Sequence, residues 1–256
     1  MAEVKTLMLR APGTNCDMET AFAFQLAGAT VEFAQINELV HREKQLSSYR
    51  IIVIPGGFTY GDDIAAGKIM ANELRLKFGE DIQRFVDDGG LVLGICNGFQ
   101  VLLKAGILPR CGDVTRQPVT IADNDSGRFE CRWVHLRVNQ TTPCVFTSGI
   151  SNMCLPVAHG EGKVFAHASV AENLNVALYY ADEKGGISAG YPHNPNGSVG
   201  NIAGICDASG RVFGLMPHPE RFVRWTQHPR WTREPARDWG DGFRIFVNAV
   251  EWAKAM

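Results

Sequence analysis

The chain has 256 residues, of which 45% are hydrophobic and 20% charged, and its formal net charge is −2. This composition is ordinary for a globular protein with a substantial core, and the charge gives no indication of binding to nucleic acid or to an anionic membrane. No signal-peptide pattern or membrane-spanning run is present, and seven scattered cysteines without a Cys-x-x-Cys favour a reduced, cytoplasmic protein over a disulfide framework or a cysteine zinc site.

Strand-like and helical patterns alternate in the first half of the chain. Short apolar runs predict strands at residues 6–10, 30–35, 51–55 and 91–95. Helical patterns cover residues 17–27, 64–78, 82–88 and the stretch after residue 96, with Asn15 or Asp17 as the expected cap of the first helix. This alternation predicts an α/β fold with a mostly parallel sheet flanked by helices.

The pattern changes beyond Val119. Short strand-like runs at residues 129–138, 164–166, 176–180 and 202–207 are separated by Gly, Asn and Pro, which predicts antiparallel strands added to the sheet. An amphipathic helix at residues 243–253 ends the chain. No repeat or interdomain linker is present, so residues 1–256 are expected to form one domain.

A cysteine stands where a strand turns into a helix. The run Leu91–Ile95 is followed by Cys96, which lies between Gly94 and Gly98, and a helical pattern then begins. This is the pattern of a nucleophile elbow, and the helix N-terminus favours thiolate over thiol. A buried, inert cysteine in an α/β core is the alternative.

A histidine and a glutamate follow another apolar run, at residues 212–216. His218 lies between two prolines and Glu220 comes two residues later. Proline disfavours helical angles before it, so an extended backbone is expected to project both side chains to the same side. A carboxylate beside an imidazole is the orienting pair of a nucleophilic triad, whereas a surface His-Glu pair is the alternative.

An oxyanion hole requires two converging N–H groups. One candidate is the N–H of Asn97, directly after the cysteine. The other is the N–H of Gly57, in the loop Pro55-Gly56-Gly57 at the end of a predicted strand, where open α/β sheets bind ligands. A plain turn is the alternative for this loop.

These motifs together resemble the class I, triad-type glutamine amidotransferases, which share a flavodoxin-like fold. Further segments narrow the resemblance to the glutaminase subunits of phosphoribosylformylglycinamidine synthase, an enzyme of purine biosynthesis. The supporting segments are residues 11–17, 55–62, 94–100, 124–133, 156–162, 194–198 and 216–221. The resemblance implies that Cys96, His218 and Glu220 are catalytic and that glutamine is hydrolysed to glutamate and ammonia.

The resemblance also implies substrate contacts and partners. Gln100, one helical turn after the nucleophile, is expected to hold glutamine, although an exposed helix residue is the alternative. The segment His159-Gly160-Glu161 is expected to offer backbone groups to the amino-acid end of glutamine, with Glu161 pairing with its ammonium. A synthetase subunit would use the ammonia with ATP and Mg²⁺, and a third, small subunit often bridges the two in such families.

Metal and nucleotide sites are not indicated in this chain. His159 and Glu161 lack a second pair of ligands, so a metal there is not expected. Asp62 and Asp63 are more simply explained as cap or first-turn carboxylates than as an acid/base pair. The Walker pattern is absent, which argues against ATP binding by this chain. Residues 194–198 have the composition of a turn, and a partner contact or ammonia exit there depends on the resemblance alone.

Two other classes of function remain open. One is a different cysteine hydrolase of similar fold, such as a peptidase or a deglycase, and the other is a silent interaction subunit. Neither explains the intact Cys, His and Glu together with residues 124–133 as well as the glutaminase does.

The segment 225–242 is longer than the connector expected in the family. It holds three of the five tryptophans and three arginines, with Arg224 at its edge. Because tryptophan and arginine are enriched at binding hot spots, the segment is a candidate docking surface for the synthetase. Packing of its tryptophans against their own domain is the alternative.

Overall fold

The computed structural model describes residues 3–41, 44–109, 117–187 and 190–256, and Cys111 lies outside these ranges. Its strands are β1 Lys5–Arg10, β2 Thr30–Gln35, β3 Ile51–Ile54, β4 Leu91–Ile95, β5 Val119–Asp123, β6 Glu130–Val138, β7 Asn152–His159, β8 Glu161–Ala166, β9 Asn175–Ala181, β10 Ile202–Cys206 and β11 Val212–Leu215. Its helices are α1 Asp17–Leu26, α2 Ile36–Val40, α3 Lys68–Asp87, α4 Asn97–Lys104, α5 Ala168–Ala171 and α6 Phe243–Ala255. Within those ranges, none of the helices has the length and apolar character needed to cross a bilayer.

The main sheet has nine strands in the order β2-β1-β3-β4-β11-β10-β9-β6-β7. The first five strands in this order are parallel to one another, and the last four add antiparallel pairs. The central strands β3, β4 and β11 are buried along their whole length, which explains their continuous apolar runs. The predicted α/β fold with added antiparallel strands is therefore confirmed.

Helices cover the parallel part of the sheet in two layers. The connection through α1 runs from β1 to β2, and the connection through α3 runs from β3 to β4 in the opposite direction across the sheet. Since such crossovers are right-handed, the two helices lie on opposite faces. The terminal helix α6 joins α1, where the rings of Phe24 and Phe246 meet edge to face at 5.0 Å. Helix α4 packs on α3, β3, β4 and β11.

The strand order reverses between β1 and β3, which creates a switch point at the carboxyl edge of the sheet. The loops that leave the two strands touch there. Thr14 and Gly57 form an isolated antiparallel bridge, and the N–H of Phe58 donates to the carbonyl of Gly13 at 3.0 Å. The neighbouring strand β4 delivers Cys96 to the same edge, so the topology places the candidate nucleophile beside the glycine loop.

Two predictions about the first half of the chain are wrong in detail. The helices predicted at residues 64–78 and 82–88 form the single helix α3, which begins only after Gly67 in a left-handed conformation. Gly79 lies inside this helix at a position where a Cβ atom would touch nothing, so packing does not require glycine there. Neither Asn15 nor Asp17 caps α1, since the N-cap residue is Cys16 and no side-chain cap bond forms.

The second half also departs from the prediction. Residues 164–166 belong to β8, which pairs with β5 in a separate two-stranded sheet instead of joining the main sheet. Strands β5 and β7 are not predicted from the sequence. Strand β7 carries Pro156, which removes a ladder donor, and the structure accommodates it because β7 is the edge strand of the main sheet.

Candidate active site

Cys96 occupies a sharp turn between β4 and α4. Its backbone is in the left-handed half of conformational space, with φ 50° and ψ −104°, as expected of a nucleophile elbow. The flanking glycines are required by packing, because a Cβ on Gly98 would lie 1.8 Å from the carbonyl oxygen of Ile54 and one on Gly94 would lie 2.7 Å from that of Gly98. The sequence prediction of an elbow at Cys96 therefore agrees with the backbone geometry.

His218 and Glu220 form a buried pair beside the elbow. Imidazole Nδ1 lies 2.6 Å from Oε1 of Glu220, and both side chains are almost fully enclosed. The predicted extended backbone is confirmed at His218, with φ −104° and ψ 90°, but is wrong beyond it, because residues 219–221 form a 3₁₀ turn. The N–H of His218 donates to the carbonyl of Pro156 in β7 at 2.8 Å, and this long-range bond helps to hold the ring.

The electrostatics of His218 favour its charged form. Burial alone lowers the pKa of an imidazole, but the negative charges of Glu220 and Cys96 outweigh burial and raise the pKa of His218 above its usual range. Nε2 of His218 is buried and has no hydrogen-bond partner among the described residues, so this nitrogen is available for proton transfer. An imidazolium there would stabilise a thiolate at Cys96.

A second thiol, which sequence reasoning missed, lies against the triad. The sulfur of Cys16, a ring nitrogen of His218 and a carboxylate oxygen of Glu220 all lie within 4.8 Å of one another. Arg221 donates from Nη2 to the Cys16 sulfur at 3.1 Å and from Nε to Glu19 at 2.9 Å. Burial raises the pKa of Cys16, which keeps it a neutral thiol.

Among the described residues, Cys16, His218 and Glu220 are also the one cluster of side chains that could hold a metal ion. Cys16, His218 and Glu220 bring one sulfur, one nitrogen and one oxygen together. A cation bound through Nδ1 would have to break the bond between His218 and Glu220, and the guanidinium of Arg221 would repel it. The sequence prediction that this chain binds no metal stays a prediction. The six cysteines that the structure describes are free thiols.

The two predicted oxyanion-hole residues flank Cys96. Asn97 is the first residue of α4, where a helix leaves its N–H groups without intrahelical partners. Gly57 has φ 144°, and a Cβ there would lie 2.7 Å from the nitrogen of Asn15, so only glycine fits. Gly57 and Cys96 line one cavity. Neither N–H group donates a hydrogen bond to the described part of the chain.

Asn97 and Gln100 belong to a buried hydrogen-bond network. The Asn97 carboxamide accepts from the Thr59 hydroxyl at 2.7 Å and donates to Oε1 of Gln100 at 3.0 Å. Gln100 in turn donates to the carbonyl of Glu161 at 2.6 Å. Gln100 is therefore not an exposed helix residue, and its amide is held at the wall of the cavity. Asp62 supports the network by accepting from Asn97 at 3.2 Å.

The predicted cap or first-turn role of Asp62 and Asp63 is wrong, because the N-cap residue of α3 is Gly67, no side-chain cap bond forms and the first turn holds no acidic residue. Asp62 instead contacts the residue that precedes the helix. Its carboxylate accepts from the N–H of Gly67, the N-cap residue of α3, at 3.1 Å. Burial raises the pKa of Asp62.

The cavity in front of Cys96 has a volume of about 530 Å³. All four residues that the resemblance assigns to substrate binding line it, together with groups from the β5–β6 turn. The lining residues are Gly57, Phe58, Asp62, Ala66, Cys96, Gln100, Asp123, Gly127, Arg128, Phe129, Ala158, His159, Gly160 and Glu161. A cavity of this size and chemistry fits a small polar amino acid.

His159 lines this cavity, but its ring is engaged in the protein interior. Nδ1 lies 3.1 Å from the Asn124 carboxamide oxygen, and Nε2 faces the amide of Asn196 at 3.5 Å. Since the Asn124 oxygen is an acceptor, Nδ1 carries the proton. Burial, with the charge of His218, lowers the pKa of His159 to about 4. The imidazole is therefore neutral and orders the cavity wall.

The segment 194–198 is a buried support and not a surface turn. Asn196 is fully enclosed and donates to the carbonyl of Gly162 at 2.7 Å and to the Tyr180 hydroxyl at 3.1 Å. Asn194 accepts from the N–H of Ser198 at 3.2 Å. Turn composition does not reveal this role, because the burial of these residues depends on the neighbouring strands.

The fold and this geometry define the class. An elbow cysteine and a histidine–glutamate pair at the carboxyl edge of such a sheet identify a triad-type glutamine amidotransferase, and the family of CobB/CobQ-like glutamine amidotransferase domains matches residues 3–253.

Sequence and structural similarity to known proteins shows which amidotransferase family the chain belongs to. The chain is 55% identical over 255 residues to the phosphoribosylformylglycinamidine synthase subunit PurQ of Dehalococcoides mccartyi, covering 99% of each chain. It is 42% identical to PurQ of Methanococcus maripaludis S2, covering 97% of each. A chain of the PurLQS structure from Thermotoga maritima superposes with a TM-score of 0.75 at 30% identity, covering 98% of this chain and 99% of that one. The chain belongs to the family of glutamine amidotransferase subunits of phosphoribosylformylglycinamidine synthase.

Proposed function

We propose that Cys96, His218 and Glu220 are the triad with which this chain hydrolyses L-glutamine and supplies ammonia for phosphoribosylformylglycinamidine synthesis. The observation that carries the assignment is the elbow of Cys96, which opens on the 530 Å³ cavity next to the buried His218–Glu220 pair. Membership of the family and identity to PurQ relatives over the whole chain support the reaction.

The first half-reaction forms a thioester. The Cys96 thiolate attacks the side-chain amide carbon of glutamine, and the N–H groups of Gly57 and Asn97 stabilise the oxyanion. The C–N bond then breaks as His218 protonates the leaving nitrogen, which departs as ammonia. Glu220 keeps the imidazole in the correct tautomer and stabilises its positive charge.

The second half-reaction releases glutamate. His218, now neutral, takes a proton from water as the water oxygen attacks the γ-glutamyl thioester. The same N–H groups hold the second oxyanion, which collapses with departure of the Cys96 thiolate. One imidazole thus carries out both proton transfers.

The partners of this chain are a synthetase subunit and a small bridging subunit, in line with its similarity to the PurLQS structure. ATP and Mg²⁺ belong to the synthetase reaction, and this chain needs no cofactor of its own for thioester chemistry. The chain acts in the cytoplasm, where a reducing environment keeps a catalytic thiol active.

A glutamine-analogue diazo-ketone tests the assignment. We expect one equivalent to label Cys96, and Cys96→Ala to abolish labelling and glutamine hydrolysis without unfolding the chain. Cys131→Ala, which removes an exposed thiol outside the cavity, is the matched control and should retain both. The Cys96→Ala variant should still support synthesis from free ammonia with the synthetase partner. Glutamine hydrolysis by this variant at the wild-type rate would exclude Cys96 as the nucleophile.

A further inference from the structure

The turn between β5 and β6 forms part of the wall of the cavity in front of Cys96. Asn124 holds its shape by donating to the carbonyls of Arg128 and His159, both at 2.8 Å. The N–H of Asp125 donates to the carbonyl of Asn196, which ties the turn to the buried segment 194–198. The backbone is thus well supported, while the side chain of Arg128 is exposed at the cavity mouth.

Four charged side chains line the cavity, and two of them already have partners. Asp62 accepts from Gly67 and Asn97, as described above. Glu161 accepts from the N–H of Ala66 at 3.3 Å and lies 3.6 Å from the ammonium of Lys104. Glu161 is therefore a poorer partner for a substrate ammonium than the resemblance implies, because its charge is balanced within the protein.

The other two, Arg128 and Asp123, are unpaired. Neither side chain has a hydrogen bond or an ion pair with any residue in the described ranges. Among the lining residues, Arg128 is thus the cation and Asp123 the carboxylate without a partner in the described part of the chain. Their opposite charges match the two charged groups of a free amino acid, whose side-chain amide must reach Cys96 in the same cavity.

Building on the function proposed above, we infer that Arg128 and Asp123 select the zwitterion of free glutamine. The planar guanidinium of Arg128 binds the α-carboxylate in a bidentate manner, and the carboxylate of Asp123 receives the α-ammonium. The pair determines specificity and does no chemistry. It favours free glutamine over glutamine side chains within peptides, which lack both charges.

Substrates that lack one charge test this assignment. Ammonia release is measured with the synthetase partner present, using L-glutamine, its neutral α-amide and 4-carbamoylbutanoate, which has no amino group. For Arg128→Ala we expect KM for L-glutamine to rise about tenfold, with kcat changed less than about threefold. KM for the α-amide should not change. Asp123→Asn should raise KM for L-glutamine and leave that for 4-carbamoylbutanoate unchanged.

Matched variants separate this role from a general loss of structure. Arg128→Lys should recover part of the affinity, because it keeps the charge but not the bidentate geometry. Arg75→Ala, an exposed arginine on α3, should behave as wild type. Equal KM increases for glutamine and its α-amide in Arg128→Ala, or no increase for either, would overturn the inference. If the wild type did not hydrolyse glutamine, the proposed function itself would fail instead.

Discussion

At the scale of single residues, His218 and Glu220 form a pair that is buried from solvent. Each side chain is enclosed, and each is the principal partner of the other. Removing one partner of such a pair leaves an uncompensated charge or polar group inside the protein. The backbone bond from His218 to Pro156 and the two flanking prolines give the ring some support that does not depend on Glu220.

Substitutions at these two positions should therefore differ in severity. His218→Ala should lower kcat nearly as much as Cys96→Ala, because one imidazole serves both proton transfers. Glu220→Gln should be milder, although loss of the orienting carboxylate can still cost orders of magnitude in kcat. Steady-state ammonia release measures both effects. Small, equal effects at the two positions would show that the base lies elsewhere.

The buried His159 should make the protein less stable at acidic pH. Its pKa is about 4 in the folded state and about 6.5 in an unfolded chain, so the unfolded state binds the extra proton between these values. Acidification from pH 6.5 to pH 4 should therefore lower the free energy of unfolding by about 3 kcal/mol through this group. His218 acts in the opposite direction, because its raised folded pKa keeps it protonated while the unfolded imidazole takes up a proton only as the pH falls through about 6.5. This contribution is common to the wild type and to a variant at His159, so it cancels when the two are compared.

Urea denaturation at pH 7 and at pH 4.5 measures this dependence. His159→Asn keeps a donor for Asn124 and removes the titrating group, so the variant should lose less stability on acidification than the wild type. His167→Asn, which removes an exposed histidine, should retain the wild-type dependence. An unchanged pH dependence in His159→Asn would contradict the assignment.

At the scale of structural elements, the segment 225–242 divides into a packed part and an exposed part. Trp225 is buried and stacks on His228 at 5.3 Å, with the guanidinium of Arg237 over its ring at 4.3 Å. Trp239 contacts Phe243 at 4.4 Å but remains half exposed. Trp231 is 47% exposed. Packing thus explains Trp225, whereas docking to the synthetase stays a prediction for the exposed part.

A pair of variants distinguishes the two roles. Trp231→Ala combined with Arg233→Ala should weaken binding of the synthetase and its stimulation of glutamine hydrolysis, with little change in thermal stability. Trp225→Ala should lower stability by about 3–5 kcal/mol, the usual cost of truncating a buried tryptophan. Calorimetry and a binding titration measure the two effects. A large loss of stability with unchanged affinity in the Trp231 and Arg233 variant would assign a packing role to them as well.

At the scale of the whole molecule, one hydrophobic cluster runs from Val4 in front of β1 to Ala253 in α6. The parallel and antiparallel parts of the main sheet share this cluster, since β10 pairs with β11 and β11 with β4. The described residues therefore offer no seam at which one part could unfold without exposing the core of the other.

The chain should accordingly unfold as a single cooperative unit. Far-ultraviolet circular dichroism, which reports secondary structure, and tryptophan fluorescence, which reports mainly the second half of the chain, should give coincident urea transitions. Two separated transitions would indicate two domains and would contradict the assignment of residues 1–256 to one domain.

Local rules made much of this protein predictable from its sequence. Apolar runs between Gly and Pro residues revealed the central strands, and the glycines around Cys96 revealed the elbow, because close packing and a strained turn each demand particular residue types at particular spacings. The proximity of Glu220 to His218 was also predicted, although only His218 has extended backbone angles and Glu220 lies in a 3₁₀ turn.

Only the tertiary structure decided which distant segments meet. The placement of Cys16 against His218, the burial of Asn196 behind His159 and the position of Arg128 at the cavity mouth all join residues far apart in the chain. Sequence patterns determine backbone conformation and the buried face of each element locally. The neighbours at the carboxyl edge of a sheet depend instead on strand order and crossover direction, which no local pattern specifies.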